Sequence, residues 1–357
     1  REQAAPPQPS RRKGPPQKRQ SGRRERHAQK RIVKSGKTCE VRFAGLFFCP
    51  QRGALFFFCP LWYTFPEKTT TSEEVTFMPK FDKVLLASDF DNTLVYTEGA
   101  LARGEDIPPM SARNREAVEY FIQNGGYFSI STGRALPAFA RYAQDIPCNV
   151  PCVIANGAAI YDFAQDRYVE TAFLDADLYD HVDALLARFP GLCFEVYHDD
   201  RRIHALHPNH YVRNHEHLTR AKTVEVKDFR EVDLPIIKLL FEEDKPLLDE
   251  VRAFIRAQDW GKNYELIFSN DHLLELTRRG ATKGGMILKL ASLLGVARKD
   301  IYCVGDHNND IPMLEVSALG FAPENATAEV RACGAQIVCH CKDGALADVV
   351  EILDRRY

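Results

Sequence analysis

Lys83-Val84-Leu85-Leu86-Ala87-Ser88-Asp89-Phe90-Asp91-Asn92-Thr93 is the stretch on which the reading of this chain turns. The run up to Ser88 is short and apolar, the pattern of a buried strand. It ends in Asp89, and Asp91 follows two residues later, so both carboxylates can enter one pocket once the chain leaves the sheet. Asn92 suits the turn, because asparagine tolerates left-handed backbone better than most residues. An Asp-x-Asp sequence by itself is more often an Asx turn than a site. Its meaning has to come from what surrounds it.

Working outward, Ser111 is placed to cap a helix whose apolar positions are Ala117, Val118, Phe121 and Ile122, and Gly125-Gly126 stops it. Tyr127–Ser131 reads as a second strand, followed by Thr132-Gly133-Arg134 and another helix; Pro151–Ala155 reads as a third strand. This alternation predicts an α/β fold with a doubly wound parallel sheet. Ligands of such sheets sit beyond the carboxyl ends of the strands, where Asp89 and Thr132 fall. The middle of the chain has another texture, with strands at Cys193–Tyr197, Ile236–Phe241 and Tyr264–Phe268 and amphipathic helices at Ala176–Phe189 and Lys245–Ala257. It predicts an inserted α/β cap over 166–274. The core pattern is expected to resume at Leu274-Glu275-Leu276, with a helix from Lys283 to Leu294 and a strand at Ile301–Val304. The core would then be 78–165 plus 275–357, with hinges near 164–168 and 272–276.

Further polar clusters accompany these elements. In Ser131-Thr132-Gly133-Arg134 a hydroxyl at a strand end precedes glycine and a helix start, a natural seat for phosphate, although an ordinary helix cap looks the same. Lys283-Gly284-Gly285 puts a lysine at the end of a helix where the dipole disfavours it. Gly305-Asp306-His307-Asn308-Asn309-Asp310 follows a strand directly and offers hard oxygen ligands suited to Mg²⁺.

In this order the motifs resemble those of the haloacid dehalogenase superfamily, most closely the Cof-type sugar and cofactor phosphatases with a large α/β cap. The resemblance covers 78–357 and includes Ile154-Ala155-Asn156-Gly157-Ala158, Pro235-Ile236-Ile237-Lys238-Leu239 and Leu274-Glu275-Leu276-Thr277 with Thr282-Lys283-Gly284. Asn92 departs from the glycine commoner in Cof-type members. The resemblance implies a Rossmann-like core and a Mg²⁺-dependent phosphatase acting on a small phosphate monoester, a sugar phosphate or a phosphorylated cofactor. It implies that Asp89 attacks phosphorus and becomes an aspartyl-phosphate, and that Asp91 protonates the leaving alcohol and then activates water. Mg²⁺ would be held by Asp89, Asp306 and the backbone carbonyl of Asp91, with Asp310 nearby as a further metal-side residue or an anchor for Lys283. Thr132 and Lys283 would hold the phosphoryl oxygens, with Gly133, Arg134, Asn156 and Asn309 on the substrate and phosphate side. A phosphomutase of the same fold shares the nucleophile and the metal.

Composition limits the alternatives. The chain has 357 residues, 45% of them hydrophobic, and a net charge of −2. There are 16 Lys+Arg against 6 Asp+Glu before Met78 and 31 against 43 from there on, a balance of −12 for the body. An acidic body argues against nucleic acid as its main ligand, although the basic tail leaves a nucleic-acid-associated protein as a reading from another class. The ten cysteines are scattered; Cys152, Cys193 and Cys303 lie in apolar runs, and neither Cys148/Cys152 nor Cys339-His340-Cys341 has a second pair at zinc-finger spacing. A reducing cytoplasm is expected. The cap histidines His198, His204, His207, His210, His215 and His217 are spaced too irregularly to predict a metal site, and some are expected to meet substrate.

Residues 1–40 have a composition that predicts disorder. The aromatic stretch from Phe43 to Phe65 is broken by Pro50, Gln51, Arg52 and Pro60, so it offers neither a membrane span nor a signal peptide. No membrane partner is expected. Glu73-Glu74-Val75 just before Met78 can be encoded by GAG-GAG-GTN, a bacterial ribosome-binding sequence. Residues 1–77 are therefore either a non-native read-through upstream of Met78, if the source is bacterial, or a genuine disordered extension or targeting segment. Oligomeric state has no signature in the sequence.

Overall fold

The computed structural model describes residues 79–357. The expectations for 1–77 and for a start at Met78 lie outside the described residues. Among the described residues, no helix is long and apolar enough to cross a membrane.

The deciding stretch forms the strand Leu85–Ser88, buried along its whole length. It lies between Tyr127–Ile130 and Ile301–Val304 and pairs with both in parallel; Leu319–Pro323 and Gln336–Val338 extend the sheet on the Ile301–Val304 side. Alternate side chains serve opposite faces, as the pleat requires. Leu86, Phe128, Ile130, Tyr302 and Val304 pack with Val118 and Phe121 of helix Ala112–Gln123 and with Leu346, Val349 and Leu353 of helix Ala345–Arg356. Leu85, Ala87, Ile301 and Cys303 pack on Ile287 and Leu290 of helix Lys283–Leu294 and on Met313 and Leu314. Both faces are covered, which is why the strand reads as an unbroken apolar run.

The third expected strand needs a correction. Cys152–Ile154 touches the parallel sheet through one bridge, Ser131 to Val153, and its ladder belongs to an antiparallel sheet with Ala159–Asp162 and Arg167–Thr171. A buried apolar run shows burial, not which neighbour it pairs with.

The inserted region is built on a six-stranded sheet in the order Tyr264–Asn270, Leu273–Arg278, Ile236–Glu242, Phe194–His198, Ile203–Leu206, Val224–Val226. Helices Leu178–Arg188 and Lys245–Ala257 cover one face through Val182, Leu185, Leu248, Val251 and Ile255. The expected boundaries are displaced. Arg167–Thr171 pairs with Ala159–Asp162 on the core side, and Leu274-Glu275-Leu276 lies in the cap sheet between Ile236–Glu242 and Tyr264–Asn270. The positions expected to hinge thus fall within hairpins: 164–168 at the turn into Arg167–Thr171, and 272–276 at the turn into, and first residues of, Leu273–Arg278. The chain crosses instead near Phe173, between Ala172 (bonded to Ala158) and Leu174 (bonded to Ile236), and again over 279–282. An alternating Leu-x-Leu strand carries the same pattern in either sheet, so sequence alone misplaces it.

Candidate active site

The strand–turn junctions bring the polar clusters together. After Ser88 the backbone turns through Asn92 at φ 53°, and the Asn92 side chain accepts the backbone N–H of Glu98 at 2.9 Å. Asp89 is thereby held in the sheet's mouth, 5% exposed. Lys283 begins its helix beside it, because Thr282 caps that helix by accepting the Gly285 N–H at 3.0 Å. Gly157, at φ +94°, lets the Asn156 turn lie directly on this start; a Cβ there would stand 2.2 Å from the Thr282 carbonyl carbon. Gly284 is closed off in the same way, 2.1 Å from the Pro312 oxygen.

The Lys283 ammonium donates to Asp89 Oδ1 and Asp310 Oδ1, each at 2.6 Å, and is 1% exposed. Asp310 turns its other oxygen to the backbone N–H groups of Asp306 and His307, each at 3.0 Å, so it anchors both the lysine and the loop. Thr93, which sequence reasoning did not single out, donates to Asp306 Oδ1 at 2.8 Å. Thr132 is fully buried, and its hydroxyl accepts the Arg134 N–H at 3.1 Å. Asn309 donates to Asn156 Oδ1 at 2.9 Å, while Asn309 Oδ1 and Ser131 Oγ are buried without a partner.

Arg134 does something the sequence did not suggest. Its guanidinium clamps both oxygens of Asp91, Nε to Oδ2 and Nη2 to Oδ1 at 2.7 Å each, and lies over the rings of Phe90 and Tyr142. Burial pushes the Asp91 carboxyl up, but Arg134 more than reverses this and holds it below the usual carboxylate range. Asp89 moves the other way: burial raises it, Lys283 opposes, and the charges of Asp310, Asp306 and Asp91 add to the rise. Burial and then Asp310 push Asp306 up to about 7. Burial works against the charge on Lys283, yet Asp310 and Asp89 prevail and keep it protonated.

Carboxylate oxygens of Asp89, Asp306 and Asp310 lie within 4.8 Å of one another, all buried. Together with Asp91 they outnumber Lys283 and Arg134, and this crowding of acidic oxygen donors is part of what pushes Asp89 and Asp306 up. That donor set fits a hard divalent cation such as Mg²⁺.

The cap reaches this pocket through groups that read as supporting motifs. Asn156 Nδ2 donates to Glu275 Oε1, and Lys238 pairs with Glu275 Oε2 at 2.8 Å, both side chains almost fully buried. Lys238 also stands 4.6 Å from the Tyr197 ring centre. Around them Tyr197, Ile237 and Leu240 of the cap pack on Ala135, Ala155 and Ala158 of the core. The signal was present in sequence as single charges inside apolar strands. Of the cap histidines, His198 and His204 bond each other at 2.9 Å, and His215 joins two buried glutamates.

Comparison with known proteins shows what the chain is similar to. The 5-amino-6-(5-phospho-D-ribitylamino)uracil phosphatase YwtE of Bacillus subtilis (strain 168) is 26% identical over 272 residues, covering 69% of this chain and 89% of that protein. The phosphatase YitU of the same name and organism is 26% identical over 266 residues, covering 69% and 88%. A solved haloacid dehalogenase-like hydrolase from Bacteroides thetaiotaomicron superposes with TM-score 0.64 at 21% identity, covering 76% of this chain and 99% of that one. The HAD subclass IIB sugar phosphatase BT4131 does so with TM-score 0.63 at 18% identity, covering 76% and 99%. At such identities the structures establish the fold. The family model for haloacid dehalogenase-like hydrolases matches residues 86–350, and the chain belongs to that family, in its Cof-type group.

Proposed function

We propose that this chain hydrolyses a small phosphate monoester, a sugar phosphate or a phosphorylated cofactor, through an aspartyl-phosphate on Asp89. The observation that carries this reading is the Lys283 ammonium seated 2.6 Å from both Asp89 and Asp310 at the end of the central strand. It orients one oxygen of the nucleophile and leaves a fixed positive charge where phosphoryl oxygens would gather. Both Bacillus subtilis phosphatases named above act, by their names, on a phosphorylated ribityl compound, and BT4131 is by its name a sugar phosphatase.

In this scheme an Asp89 oxygen forms a bond to phosphorus as the ester P–O bond breaks, and Asp91 gives the departing alkoxide its proton. Asp91 then takes a proton from the water that attacks phosphorus and frees Asp89. The Arg134 clamp keeps Asp91 ionised, which suits the second half and opposes the first. An incoming phosphate dianion competes for Arg134, and its departure lets Asp91 take up the proton that the first half needs. Thr132 and Lys283 bind phosphoryl oxygens; Asn309 and Asn156 fix the loop facing the cap. Mg²⁺ held by Asp89, Asp306 and the Asp91 carbonyl would screen the charge between nucleophile and phosphate. Tyr197, Lys238 and Glu275, which close over the core beside Asn156, are the cap groups that would meet the leaving group. A panel of phosphate monoesters assayed with Mg²⁺ tests the proposal: hydrolysis of at least one sugar or cofactor phosphate is expected, abolished by Asp89→Asn, and activity unaffected by that substitution contradicts it.

A further inference from the structure

The cap holds a second cluster of buried charge that the proposed reaction does not use. Glu195, in strand Phe194–His198, and Glu242, ending strand Ile236–Glu242, share the face of the cap sheet opposite its two large helices. His215 comes onto them from helix His210–Thr219. Glu195 and Glu242 are 1% and 0% exposed. His215 Nδ1 lies 3.1 Å from Glu195 Oε2 and 3.1 Å from Glu242 Oε1, and the three ligand atoms all fall within 4.8 Å of one another. Only the contact with Glu195 has the alignment of a hydrogen bond; neither oxygen of Glu242 has a hydrogen-bond partner.

A carboxylate sealed from water is costly unless it is fully paired, and Glu242 has only the misaligned His215 contact for one oxygen and no partner for the other; folds retain such a group where an ion or partner satisfies it. The spacing leaves room for a small ion. A tetrahedral metal with ligand distances of about 2.0–2.1 Å separates its ligand atoms by roughly 3.3–3.4 Å, close to the two 3.1 Å separations here. The Tyr197 hydroxyl donates to Glu195 Oε2 and fixes that carboxylate from outside, as outer partners of metal ligands do.

We propose that Glu195, His215 and Glu242 form a binding site in the cap for a divalent transition-metal ion, with Zn²⁺ the best match. An imidazole beside two carboxylates favours such an ion over Mg²⁺, which prefers an all-oxygen shell. Bound there, the ion ties helix His210–Thr219 to two central strands and stiffens the face that carries Tyr197, Lys238 and Glu275. The competing occupant is a proton. Burial lowers the His215 pKa, but the two glutamates reverse that and hold it at about 10. The same negative charge attracts a doubly charged ion, which binds by displacing that proton to solvent.

The test uses the full chain carrying Asp306→Asn, which weakens the core pocket for metals, and the same chain with Glu242→Gln added. Glu242→Gln keeps the shape of the side chain and removes only its charge. Metal-stripped protein is titrated with Zn²⁺ by calorimetry, with thermal midpoints and the ¹⁵N resonance of His215 Nδ1 followed in parallel. The Asp306→Asn protein is expected to take up one equivalent, to gain thermal stability and to shift the Nδ1 resonance. Adding Glu242→Gln is expected to weaken binding by about 100-fold, the upper range for disturbing even an outer partner of a metal site. Equal affinity in the two proteins, no Zn²⁺ retained by the Asp306→Asn protein, or an unmoved Nδ1 resonance overturns the proposal and leaves the proton as the occupant.

Discussion

In the core, Asp89, Thr132 and Asp306 leave the ends of parallel strands and Lys283 begins a helix, whereas in the cap Glu195, Lys238, Glu242 and Glu275 sit within strands and project from the face of a sheet. The difference follows from what covers each sheet. The core sheet is packed by helices on both faces, so a charge within a strand would have nowhere to go and polar chemistry is displaced to the strand ends. The cap sheet has its large helices on one side only. Its other face is free to carry charges, which become buried where the core and helix His210–Thr219 close over them. On this account the core performs the reaction and the cap face selects the molecule.

The largest effect should come from the core. Asp89→Asn is expected to lower turnover by at least about 10⁴-fold, as loss of a nucleophile does, with an unchanged fold by circular dichroism. Residual activity within tenfold of the parent protein would remove Asp89 from the chemistry. Next in size, a chelator should abolish activity and added Mg²⁺ restore it, with Ca²⁺ inhibiting through its looser coordination. Full activity in excess chelator breaks the assignment of Asp89, Asp306 and the Asp91 carbonyl to a metal.

The contrast also explains what could be read without a structure. Asp89 and Asp306 stood out in the sequence because each follows an apolar strand run, and Lys283 because it begins a helix at the end where the dipole disfavours it; only the combination of these clusters in order gave them meaning. Glu275 and Lys238 were quoted only as parts of motifs, since one charge in an alternating strand looks like its solvent side; both are in fact about 2–3% exposed. The Asp91–Arg134 clamp joins residues 43 apart through rotamers that no pattern encodes. His215 looked like one of many irregular histidines because its partners, Glu195 and Glu242, come from strands distant in the chain. The cap boundary failed for a related reason: periodicity shows that 273–278 is a strand but not which sheet it joins.

The cap offers the next test. Lys238→Met strands Glu275 in a buried site and should cost about 3–5 kcal/mol in urea unfolding, most of it recovered by adding Glu275→Leu. A loss below about 1 kcal/mol would mean the pair behaves like a surface contact. The smallest effect belongs to the rim of the cap. Glu216 accepts the Thr223 N–H and hydroxyl at 2.8 Å each and pairs with Arg213; burial raises its pKa, but these contacts outweigh that and hold it down at about 2. A carboxyl depressed in the folded state adds stability above its unfolded pKa of about 4.5 and loses it as pH falls toward 2. Glu216→Gln should therefore be mildly destabilising at pH 7, with the gap closing between pH 4.5 and 2; a gap independent of pH would contradict the charge as its source.

The central claim, a covalent phosphoryl transfer to Asp89, is tested most directly by trapping the intermediate. Asp91→Asn protein is mixed with an activated aryl phosphate whose leaving group needs no proton, quenched in acid within one turnover, digested and mass-analysed. The account predicts a phosphoryl adduct on the peptide containing Asp89, removed by hydroxylamine and absent when Asp89→Asn is combined with Asp91→Asn. Aryl phosphate cleaved at full burst amplitude with no adduct on that peptide, or with the adduct on another residue, would contradict it.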